Sequence, residues 1–97
     1  MRLESEEDCI AELQRSNRRG IPEHIFPGLA RYLVHGIGPG SFLQAMLTND
    51  LRGVMNNADD QNRAHLPEIW EFFYNHIPSA AWGSESNFLK WIEERQK

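Results

Sequence analysis

Arg31 and His35 stand one helical turn apart, directly ahead of the run Gly36-Ile37-Gly38-Pro39-Gly40-Ser41. A guanidinium, an imidazole and a glycine turn leading into a helix suggest one chemistry, the binding of an anion. The free N–H groups and positive dipole end at the start of a helix are a ready phosphate site. Arg31, His35, Ser41 and Arg52 would supply the anion contacts, Gly38 would lie in the turn itself, and Tyr32 or Trp82 would stack on a base.

The same run has a competing structural reading. Ser41 followed three residues later by Gln44 matches a capping box at the head of an apolar repeat. Gly36 and Gly38 supply positive φ and Pro39 stiffens the turn. No Lys follows, so the phosphate loop G-x-x-x-x-G-K-[ST] is absent; the last glycine of G-x-G-x-x-G is missing, and no strand precedes. Capped helix turns vastly outnumber anion sites, which favours the structural reading.

Other chemistry is sparse. None of the four histidines, His24, His35, His65 and His76, stands four residues from another, and there is no H-E-x-x-H, so no metal site is expected. Asn56 to Arg63, "NNADDQNR", resembles a calcium loop but lacks the central glycine and the closing glutamate. Cys9 is flanked by acids, which raise a thiol's pKa. With no legible set of acid, base and nucleophile, the chain reads as a non-enzyme with no cofactor. The aromatic run "WEFFYNHIPSAAW" offers a different function. Trp70, Phe73 and Trp82 suit a core, whereas Phe72, Tyr74 or Trp82, with Ile10 and Leu13 of the first helix, are candidate anchors of a protein interface.

The elements that position these residues follow from periodicity and caps. Residues 3–17 read as a helix with acids at its start, Arg15, Arg18 and Arg19 at its end, and a thin apolar stripe. That stripe suggests a peripheral or self-associating element over residues 1–20, outside a compact domain of residues 21–97. One turn at 22–25 and a helix at 27–35 follow, with Gly36 as its stop. Leu43, Met46, Leu47, Leu51, Val54, Met55 and Ala58 share one helical face, predicting a helix over 41–58. Asp59 or Asp60 caps a short segment, Pro67 kinks or reopens it, and Ser84 caps the last helix. The fold class is all-α: a single domain of four to five helices, with 27–35 and 41–58 as a central antiparallel hairpin.

Composition narrows the function classes. The chain has 97 residues, a net charge of −4, 40% hydrophobic residues and one cysteine. The acidic sign argues against a nucleic-acid binder, and a lone cysteine suits a reducing compartment. No apolar run approaches the roughly 20 residues of a membrane span, and "MRLESEEDC" is too polar for a secretory signal, so a cytoplasmic protein is expected.

The stretch "PGLARYLVHGIGPGSFLQAMLTNDLRGVMNNAD", with "LPEIWEFFYNHIPSAAWGS" after it, resembles a family of small proteins encoded by bacteriophages and prophages. The pattern is Arg31-Tyr32, Pro39 to Leu43, Asn49 to Leu51, Tyr74-Asn75 and Trp82 to Ser84, within residues 22–92. The resemblance implies a setting, the bacterial cytoplasm during infection or lysogeny, and carries no catalytic residue. In that setting the expected function is an interaction module that binds a host protein or complex, such as a defence system, and inhibits or redirects it, with self-association through the first helix. The alternative is a binder that sequesters a nucleotide or other anion at the Gly36–Ser41 turn.

Overall fold

The computed structural model describes residues 3–96. It is all-α: among the described residues there are seven α-helices, two short 3₁₀ turns and no strand. Helix α1 spans Glu6–Ser16, α2 Phe26–His35, α3 Ser41–Leu47, α4 Leu51–Asn57, α5 Asp60–Ala64, α6 Leu66–His76 and α7 Glu85–Arg95. The 3₁₀ turns are Glu23–Ile25 and Ser79–Ala81. No described helix is long and apolar enough to cross a membrane.

Local chemistry sets most helix ends. Ser5 Oγ accepts from Asp8 N–H at 3.1 Å, and Glu6, Glu7 and Asp8 fill the positive first turn of α1. Pro27 lies in the first turn of α2, and Gly36 closes that helix at φ 69°, its N–H donating to Tyr32 O at 2.9 Å. Asp59 and Ser84 cap α5 and α7 through their side chains. Pro67 opens α6, where its missing N–H is no loss.

The expected helix over 41–58 is two helices, which raises the count beyond four to five. Asn49 takes φ 60°, Asn49 N–H donates to Met46 O at 3.2 Å, and Asp50 N–H donates to Ala45 O at 2.8 Å. This is a Schellman closure with asparagine in the left-handed position. Asp50 then caps α4, its Oδ1 accepting from Gly53 N–H at 3.0 Å. The break rotates α4 relative to the stripe of α3. Val54 stays buried, whereas Leu51 and Met55, expected inside, are 62% and 45% exposed. Helix α3 turns back on α4, and α2 packs chiefly on α1 and α7, so the expected hairpin is not the central unit.

The glycine turn also differs from expectation. Gly40, not Ser41, is the N-cap of α3, and no side chain caps that helix. Gln44 N–H donates to Gly40 O at 3.0 Å, so the Ser41–Gln44 box does not form. The left-handed glycines are Gly20, Gly36 and Gly83; Gly38 is not among them.

One core joins the helices. Tyr32 is fully buried, stacks on Phe88 with centroids 5.2 Å apart, and donates its hydroxyl to Ala81 O at 2.6 Å. Phe26 stacks on Phe72 at 5.7 Å, and Phe73 meets Trp82 edge-on at 5.6 Å. Helix α1 lies along α2 and supplies Cys9 and Leu13, both fully buried, to this same core. A narrow stripe suffices because one neighbouring helix covers it.

Candidate functional site

The residues proposed for an anion divide among three environments. Arg31 Nε and His35 Nε2 come together on the Glu6 carboxylate of α1, at 3.6 and 3.4 Å. These contacts to Glu6 tie α1 to α2. Tyr32 offers no stacking face, since its ring lies inside the core. Arg52 is exposed on α4, Gly38 is exposed in the turn, and Ser41 lines a groove shared with Asp50 and Glu85.

The turn itself faces α7. Trp91 Nε1 donates to Tyr32 O at 3.3 Å, Arg95 Nε to Leu33 O at 2.9 Å, and Gln96 Nε2 to Gly36 O at 2.9 Å. The last carbonyls of a helix lack intrahelical donors and carry its negative dipole end. Here α7 supplies donors and a cation, with the Arg95 guanidinium 3.3 Å from the centre of the Trp91 ring. The glycine turn therefore serves as a seat for the last helix, and its Gly36 oxygen is already engaged.

A groove lies elsewhere. Helices α3, α4 and the start of α7 enclose about 370 Å³, lined by Gln44, Thr48, Asp50, Asn57 and Glu85 as well as Ser41. Gly83 N–H donates to Leu47 O at 2.8 Å and holds the approach to α7 against the end of α3. Thr48 Oγ1 donates to Gln44 O and Asn57 Nδ2 to Gly53 O, each at 2.8 Å. Sequence reasoning missed Asp50, Asn57 and Glu85 as a set, because only the packing of α7 brings them together. A second depression of about 280 Å³ adjoins it, lined by His24, Phe42, Asp59 and Asn62. His24 Nε2 lies 3.2 Å from Asp59 Oδ2 across its rim. Among the described residues no three of His, Cys, Asp and Glu come together as a metal-binding group. The Cys9 thiol is pushed up to about 11, first by burial and then by the charge of Glu12.

The proposed interface anchors also separate. Leu13 and Phe72 are core side chains, 0% and 6% exposed, because α1 packs on α2 and Phe72 lies between Phe26 and His76. Ile10 and Trp82 are half-buried against the core, and Tyr74 is 81% exposed. Ile37, Leu51, Met55 and Leu89 join Tyr74 as exposed large apolar side chains. Comparison with family models, curated proteins and solved structures finds no match to this chain.

Proposed function

We propose that this chain is a non-enzymatic protein-interaction module, phage-encoded and acting in the bacterial cytoplasm, that binds a host protein complex and inhibits or redirects it. A defence system is the kind of target that setting offers. The support is the solvent face of α4, where Leu51 and Met55 lie one turn apart with Arg52 and Asn56 beside them, all exposed. Packing does not explain two outward apolar side chains on so short a helix, and apolar anchors are what a partner buries. A small anion held at the Gly36–Ser41 turn is not favoured, since the Arg31 and His35 side chains already lie on the Glu6 carboxylate.

The test uses the tagged full chain as bait in bacterial lysate, beside Leu51→Asp/Met55→Asp. Both side chains already meet water, so the double variant keeps its melting temperature. A host protein held stoichiometrically by the wild type and lost from the variant is the expected result. No stoichiometric host protein, or one held equally by both, overturns the proposal.

A further inference from the structure

The two depressions meet at Ser41 and Asn57, which line both. At one end stand the Asp50 and Glu85 carboxylates, neither with an ion-pair partner among the described residues. Leu89, 53% exposed, is the apolar wall beside them. At the other end Ile25, Phe42 and Leu43 form an apolar wall, and Asn62 lines the same space. Asn62 is the one buried polar residue among the described residues, 4% exposed, and its Oδ1 has no hydrogen-bond partner. A buried acceptor without a donor opposes folding, and such a group needs a reason to be there. Asn62 lines the depression, and its Nδ2, which makes no hydrogen bond among the described residues, is the amide group left to meet whatever lies in it.

We propose that the joined depressions are a docking groove for an extended peptide segment of a partner protein. The segment places a Lys or Arg beside Asp50 and Glu85, its apolar stem along Leu89, an apolar residue against Phe42 and Leu43, and a backbone carbonyl on Asn62 Nδ2. Complementary charge selects the basic residue, and the apolar walls select a peptide over a free cation. The inference rests on the interaction-module reading but uses a different face of α4 from Leu51 and Met55, since residues 50, 53 and 57 share one side of a 3.6-residue helix.

The experiment is an NMR titration of the isotope-labelled full chain with capped peptides carrying one Leu and one Arg across a short Ala spacer. Their Arg→Glu counterparts and spermidine serve as controls. Backbone shifts at Ser41, Asn57 and Leu89, and at the Asn62 side-chain amide, are expected with the Arg peptides alone. Asp50→Asn/Glu85→Gln removes both charges while Asn still caps α4, and binding should weaken about fivefold, as for two exposed ion pairs. Asn62→Leu should raise the melting temperature of the free chain and lose the peptide. Equal shifts with the Glu peptides or spermidine, no shifts, or unchanged binding in either variant overturns the groove. A silent titration beside a bait that loses its host protein at Leu51→Asp/Met55→Asp removes the groove and leaves the module standing.

Discussion

Gly20 and Gly36 share a φ of +69° but not a neighbourhood. A Cβ added at Gly20 meets nothing within 4 Å, whereas one at Gly36 would stand 2.8 Å from Arg95 Cβ and 3.0 Å from Ile92 O. Alanine at either position bears the left-handed penalty of roughly 1–2 kcal/mol. Only Gly36→Ala must also push α7 off its seat, adding about 1–3 kcal/mol of overpacking. Urea unfolding of Gly20→Ala and Gly36→Ala should therefore show Gly36→Ala losing clearly more stability. Equal losses would mean that α7 does not depend on close approach at the turn. The comparison separates the two uses of glycine that the turn combines: backbone conformation and room for another helix.

At the scale of elements, the short pair α3 and α4 reverses an ordinary expectation. Alanine is favoured over glycine inside a helix by about 1 kcal/mol, so Gly53→Ala should stabilise α4 if propensity alone decided. The new Cβ would lie 2.5 Å from Asp50 Oδ2 and 3.0 Å from Ala45 Cβ. Either the cap of α4 is displaced or α3 retreats, and losing a cap costs about 1 kcal/mol or more. Thermal melting should show Gly53→Ala below the wild type; a higher melting temperature would make the Asp50 cap dispensable. The same element shows where the sequence is readable. Asp59, Pro67, Ser84 and Gly36 mark helix ends with local chemistry, and the structure uses each of them. The Thr48-Asn49-Asp50 break hides because it contains neither glycine nor proline, and the apolar repeat runs through it. Its signal is the asparagine at a left-handed closure followed at once by an aspartate cap. Ser41 misleads by one position, since Gly40 takes the capping place and leaves the serine as the first helical residue. The joined groove is non-local: it exists only once α7 and α5 come to rest beside α3 and α4, and spacing along the chain carries no trace of that.

For the whole molecule, the decisive question is whether α1 belongs to the cooperative unit, and Cys9 can report on it. The thiol is fully buried between α1 and the core, and its pKa rises from 9.0 to about 11. Burial also raises the Tyr32 phenol above its ordinary 10.0. A group whose folded pKa lies above its unfolded value contributes stability that is complete below the unfolded pKa and is lost as pH climbs toward the folded one. Cys9 therefore leaves stability untouched at neutral pH. Between about pH 9 and 11 the unfolded chain releases the thiol proton while the folded chain retains it, a loss on the order of 2–3 kcal/mol. Tyr32 begins to add to the loss only from about pH 10 upward. Urea unfolding across this range should show a decline that starts near pH 9 in the wild type and near pH 10 in Cys9→Ala. The comparison is of slopes, so the small cavity left by alanine shifts the whole curve without altering the reading. Were α1 a loose appendage, Cys9 would titrate at its ordinary value in the native chain, and the two slopes would coincide. A slope that disappears with the thiol places α1, Leu13 and the Glu6 contacts to Arg31 and His35 inside one folding unit.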